Sequence, residues 1–341
     1  MKTSNREIRH AFVYTGAIFL MLASAAQAQN LFEADSDTGN INEFISTGAQ
    51  STYAADLPDP WAMAFDSAGD LFVANYVFGN ITEITPNGTQ SIFASGLGLP
   101  DALAFNTSGD LFVADHKSSS IYEITPGGTL STFASGFEDP YGLTFDSAGN
   151  LFVGNYSSGF IITEISLNGT QSTYTTDVAV PQALAINSSG DLFVADFSEN
   201  DVIEITPSGV QSTFASGLSQ PRAMAFDSGG DLFVANWAGN SIVEITPNGV
   251  QSNFASELYN PITLAFEPVP EPSVMGLFIV GMAAFIFRNR KKSSIGHTTL
   301  TTRHWFCAWA SFNFIASPCF LPINCCPNGD SGVITNTSRR S

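Results

Sequence analysis

The chain has 341 residues, with 31 Asp and Glu against 12 Lys and Arg and a formal net charge of −19. Between Gln29 and Val269 the imbalance sharpens to 28 acidic residues against Lys117 and Arg222, a net charge near −26. A surface of that sign argues against DNA, RNA and anionic membrane faces as partners, and the absence of cysteine from this stretch removes disulfides from its fold.

At the N-terminus, Lys2, Arg6 and Arg9 precede an apolar run from Ala11 to Leu22, and Ala26-Gln27-Ala28 supplies small residues. This pattern predicts a signal peptide over residues 1–28, cut by signal peptidase between Ala28 and Gln29.

Residues 29–268 carry one short phrase six times: NLFEA from Asn30, DLFVA from Asp70 and Asp110, NLFVG from Asn150, and DLFVA from Asp191 and Asp231. The spacing is 40 residues, once 41. Each unit contains a Pro, an apolar run ending mostly in Phe, a DSxGD-type turn, the LFVA run, an I-x-E-I run, a Pro/Asn-Gly turn and a Gln-Ser-Thr-Phe-type run. Phe, Val, Ile and Thr fill runs of four to six residues, with Gly, Asn, Asp and Pro between them, so each unit reads as four strands and three hairpins. The LFVA runs are apolar on both faces and require cover on both sides. An all-β, six-bladed propeller of four-stranded blades satisfies this pattern and its period.

The ends of the array predict closure. Residues 31–54 lack an innermost strand, and PITLAFE, from Pro261 to Glu267, is an innermost strand with nothing after it. Docked together they complete the sixth blade and leave no exposed end. The phrases P-x-A-x-A-F-D and G-D-L-F-V-A-D/N resemble those of NHL and gluconolactonase-like propellers over residues 31–267. That resemblance implies the fold; the class contains lactonases, lyases, protein-binding modules and scaffolds.

Ligand contacts are expected where the repeats agree in place but differ in chemistry. The residue after each strand-initiating Pro reads Trp61, Asp101, Tyr141, Gln182, Arg222 and Ile262. The residue just after the second strand reads Ser36, Tyr76, His116, Tyr156, Phe197 and Trp237. An antiparallel pair puts the start of one strand beside the end of the next, so both sets share the rim of the central channel. Aromatic rings with a few hydrogen-bonding groups suit a glycan or exopolysaccharide. The weaker catalytic candidates are His116, Asp101 and Arg222, which could supply a base, an acid and a cation for a lactonase or lyase.

No metal or other cofactor is required. Asp35, Asn75, Asp115, Asn155, Asp196 and Asn236 close the second strands too far from the axis to share one ion, and they are expected to cap the following turns. Calcium at the DSxGD turns of Asp66, Asp146 and Asp227 is possible but unneeded. Glu43, Glu83, Glu123, Glu164, Glu204 and Glu244 are placed on a solvated third strand.

Beyond the repeats, Val269-Pro270-Glu271-Pro272 leads into an apolar run from Val274 to Phe287 and then Arg288, Asn289, Arg290, Lys291 and Lys292. About fourteen residues is short for a spanning helix, which wants roughly 20, but the basic cluster marks a cytoplasmic end. Residues 269–292 resemble the PEP-CTERM sorting signal, which is sometimes named an ice-binding-protein C-terminal domain without implying ice binding. The resemblance implies a Gram-negative bacterium, processing near Pro270-Glu271-Pro272 by an exosortase-type enzyme, membrane contact only through 274–287 before processing, and delivery to the cell surface or an exopolysaccharide matrix. Residues 293–341 depart from that pattern. They carry Cys307, Cys319, Cys325 and Cys326 and a single acidic residue, Asp330, without repeat rhythm, and read as an atypical, disordered tail or translated read-through. The alternative is a metal-binding tail built from Cys319, Cys325 and Cys326 with His297 or His304.

The expected function is non-catalytic ligand binding at the aromatic rim. A matrix scaffold without a specific ligand is the second reading, and a lactonase- or lyase-type enzyme the third.

Overall fold

The computed structural model describes residues 29–156, 161–176 and 178–269. The expected Ala28 cleavage flank, the sorting signal, the apolar run 274–287 and the Cys-containing tail lie outside the described residues. Twenty-four strands form six antiparallel four-stranded sheets, the blades of a six-bladed propeller. Blade 1 joins the C-terminal strand Pro261–Phe266 to Leu31–Asp35, Asn40–Phe44 and Gln50–Ala54. Blades 2 to 6 begin with the innermost strands Pro60–Phe65, Pro100–Phe105, Pro140–Phe145, Pro181–Ile186 and Pro221–Phe226.

The seam in blade 1 is the one expected. Phe266 lies opposite Leu31 and Pro261 opposite Asp35 in an antiparallel ladder, and Pro261–Phe266 also packs beside the innermost strands of blades 6 and 2. The ring therefore has no free end interface.

Every second strand, the LFVA run, is buried along its whole length, whereas outer strands such as Gln50–Ala54 begin with three exposed residues. The core is correspondingly divided. Six buried clusters each straddle one inter-blade interface, including that between blade 6 and blade 1. A recurring aromatic triad binds the interfaces. Phe72 meets Phe93 of its own blade edge-on at 4.8 Å and Phe105 of the next blade at 5.1 Å. Phe32, Phe112, Phe193 and Phe233 repeat the arrangement, and between blades 4 and 5 Ile186 stands in for the third ring. Each such edge-to-face pair adds roughly 0.5–1.5 kcal/mol beyond area burial.

The turns follow their residues. Asp66 Oδ1 accepts the backbone N–H groups of Ala68 and Asp70, both at 2.9 Å, while Gly69 takes φ +89°, a conformation that glycine adopts without strain. Asp146 and Asp227 make the same turn, as do Asn106 and Asn187.

Candidate functional site

The channel mouth is built by a backbone irregularity that recurs in all six blades. Pro60 pairs with Asn75 and Ala62 with Ala74, so Trp61 is an extra residue with no partner of its own. The same β-bulge falls at Asp101, Tyr141, Gln182, Arg222 and Ile262. A bulge breaks the in-and-out alternation and re-aims a side chain. These six side chains, with the two residues that follow each, line the central cavity, whose volume is about 100 Å³.

The second circle is tied to the first. The backbone N–H groups of Tyr76, His116, Tyr156, Phe197 and Trp237 donate to the carbonyls of Asp59, Leu99, Asp139, Val180 and Gln220, the chain segments that enter the innermost strands. Strand-closing side chains hold the intervening loops. Buried Asp115 accepts from the backbone N–H groups of Gly98, Leu99 and Ser118, and Asp196 accepts from Ala179, Val180, Ser198 and Glu199. Among the described residues, no group of three or more His, Cys, Asp or Glu side chains converges as a metal ligand set would.

The rim residues divide into three neighbourhoods. Trp61 stacks on Tyr76 at 4.6 Å and 20°, and Arg222 Cζ lies 4.2 Å from the Trp61 ring centroid. Tyr141 meets His116 edge-on at 5.3 Å and Tyr156 at 5.3 Å, tilted. Phe197 and Trp237 lie 6.2 Å apart at 41°. The outer aromatics thus pack partly on one another rather than standing open, and Tyr156, at 43%, is the most exposed of them.

Asp101 is 7% exposed, and burial pushes its carboxyl up to about 7; the charge of Arg222 and the Trp61 indole N–H offset part of that rise. The indole approaches the carboxyl without completing hydrogen-bond geometry, for Trp61 Nε1 and Asp101 Oδ2 are both buried and unpartnered. Burial lowers the pKa of Arg222, with Asp101 acting in the opposite direction. Tyr141 and Tyr76 are raised first by burial and then by Asp101.

His116 stands apart from this cavity. Its Nε2 is 3.8 Å from Asp139 Oδ1, beyond hydrogen-bond reach, and its Nδ1 is buried without a partner. The structure brings Asp101 and Arg222 to one cavity and gives His116 a different carboxylate, Asp139, that the repeat comparison does not single out. Gln29, the expected mature N-terminus, is held between blades: its Nε2 donates to Glu267 O at 2.8 Å and its Oε1 accepts from Ser228 N at 2.7 Å.

Two features escaped the sequence reading. The bulges were readable in principle, because six residues from each strand-opening Pro face five in the LFVA strand. Buried Glu33 is signalled only by NLFEA, where the other phrases have Val.

Residues 268–291 match the PEP-CTERM protein-sorting motif. No curated protein matches the chain. Among solved structures, a chain of a nidogen/laminin complex aligns at TM-score 0.65 and 17% identity over 71% of this chain and 99% of that one. Virginiamycin B lyase from Staphylococcus aureus aligns at TM-score 0.51 and 20% identity over 60% of this chain and 73% of its own. A putative gluconolactonase aligns at TM-score 0.52 and 16% identity, covering 57% and 77%. At such identities the likeness carries the fold alone. The sorting motif implies export, processing by an exosortase-type enzyme and a cell-surface or extracellular location.

Proposed function

We propose that this propeller binds a glycan, without catalysis, at its channel mouth on the surface or in the exopolysaccharide matrix of a Gram-negative bacterium. The proposed chain organisation is a signal peptide (1–28), the propeller (29–268), the sorting signal with its apolar run (269–292) and an atypical tail (293–341). Before processing, membrane contact is through 274–287, and calcium is not needed. The reading rests on one observation: the mouth contains polar groups that its own fold leaves unsatisfied. A residue set serving only to plug the channel would be apolar or internally hydrogen-bonded, because an unpaired buried polar group costs roughly 1–3 kcal/mol. Arg222, which lines the cavity, makes no hydrogen bond to any described residue, and beside it Trp61 Nε1 and Asp101 Oδ2 are buried without completing the bond between them.

A cavity of about 100 Å³ is below the roughly 300–1,000 Å³ of a site that engulfs a small molecule. It admits a substituent, with the remainder of a polymer lying across the rim. The packing of rim aromatics on one another favours the second reading, a scaffold without a ligand. In the gluconolactonase-like alternative the base at the cavity would be Asp101, since His116 does not line it.

The test is binding of the full-length exported protein to a glycan array. We expect specific signal that falls at least tenfold in Trp61→Ala and less in Trp237→Ala. Absence of signal on every glycan would favour the scaffold.

A further inference from the structure

We propose that the substituent received by this mouth is a carboxylate carried on a sugar, a uronate, with the Arg222 guanidinium as its counter-ion. The proposal rests on the glycan reading above and names the ligand class for the same site.

Arg222 is the only arginine between Gln29 and Val269, in a stretch with 28 acidic residues, yet it is the bulged second residue of the innermost strand of blade 6 rather than lying on the outer surface. The Trp61 ring lies under its Cζ, 4.2 Å from the ring centroid, a cation–π contact that consumes none of its N–H donors. The guanidinium is a planar fork of N–H donors lining the cavity, and among the described residues no carboxylate pairs with it within 4 Å. Two parallel N–H···O bonds to a carboxylate are the geometry the fork is built for.

The neighbouring acid does not consume this charge. Asp101 forms no ion pair with Arg222 within 4 Å, since the sole pair among the described residues is His116 with Asp139. Asp101 Oδ2 has no hydrogen-bond partner either. With its carboxyl pushed up to about 7, Asp101 accepts a proton near neutrality when an anion arrives. It then donates to that anion rather than repelling it. Polar groups from blades 3 and 6 therefore meet at a space of about 100 Å³, which suits a carboxyl group and excludes a whole pyranose ring.

A neutral hydroxyl group answers this set less well, because it brings one oxygen to a fork made for two. The acidic exterior does not forbid the contact, since its field is screened beyond about 8 Å at physiological salt. It does disfavour loose adsorption of polyanions elsewhere on the ring.

The experiment measures affinity of the full-length exported protein for oligogalacturonate, for the same oligomer methyl-esterified, and for a sulfated oligosaccharide of matched length. We expect the free acid to bind at least tenfold tighter than the ester. Arg222→Gln should reduce that preference to parity, and Arg222→Lys should retain part of it. Equal affinity for acid and ester overturns the uronate assignment while leaving glycan binding intact. Tighter binding of the sulfated oligomer overturns it in favour of a tetrahedral anion. Absence of binding by all three, together with a blank array of neutral glycans, removes the glycan reading and the inference with it. If Arg222→Gln fails to fold, the acid-to-ester comparison on the unmodified protein still decides.

Discussion

Glu33 shows how one residue can depart from its repeat at a measurable cost. Its position is filled by Val73, Val113, Val153, Val194 and Val234 in the other blades, all fully buried. Glu33 is 0% exposed, its Oε2 accepts from Asn42 Nδ2 at 2.9 Å, and its Oε1 has no partner. Burial, with a smaller contribution from Asp35, pushes the carboxyl up to about 7 despite the Asn42 bond. In the unfolded chain it ionises near the ordinary value of 4.5. Between those values the unfolded chain has already lost a proton that the folded one keeps, so stability falls as pH rises through this window. Glu33→Gln keeps the shape and removes the titration. We expect it to be more stable than the parent by on the order of 3 kcal/mol at pH 8 and nearly equal to it at pH 4.5, in paired chemical denaturation curves. A difference independent of pH would refute the assignment. The substitution in NLFEA was visible in the sequence, but its consequence was not, because only the fold shows that Asn42 reaches Oε2 while Oε1 is left without a partner.

At the scale of the element, strand identity followed from residue type and turn chemistry, and the observed strands fall where the repeat places them. The bulge did not emerge, although it decides which way Trp61, Asp101 and Arg222 point. Local pattern matching assigns alternate faces to successive residues, and an inserted residue breaks that rule without changing composition. Blade 4 supplies a related case. Gly154 stands where the five other blades have Ala34, Ala74, Ala114, Ala195 and Ala235, and a Cβ there would lie 2.8 Å from the Pro181 carbonyl oxygen. Gly142, directly opposite in the ladder, would put a Cβ 3.0 Å from Leu184 Cγ. Blades 4 and 5 therefore approach closely at the backbone. Restoring the repeat's own residue by Gly154→Ala is expected to destabilise the protein by about 1–3 kcal/mol, read as a lower denaturation midpoint, although consensus substitutions usually stabilise. An unchanged or raised midpoint would show that the two blades can separate freely.

For the propeller as a whole, the seam in blade 1 carries the closure. Pro261–Phe266 contributes buried Ile262, Leu264 and Ala265 to the clusters on both of its sides. A chain ending at Asn260 would expose both flanking interfaces together. We expect its melting temperature to fall by on the order of 10 °C or more, since about 1 kcal/mol corresponds to roughly 2–4 °C in a domain of this size. Retention of the parent's melting temperature would mean that the ring does not depend on its last strand. By itself the sequence determined the all-β class, the blade count, the strand order and the closing partner, because a forty-residue period repeats its turns and buried runs six times over. It also determined which positions share the channel rim, because antiparallel pairing follows from the hairpins. Only the tertiary structure decided which rim residues touch, that Arg222 reaches Trp61 while His116 faces Asp139, and that the mouth is narrow. Those relations join residues from different blades, and the angle and separation of blades come from how their side chains pack, which no single repeat encodes.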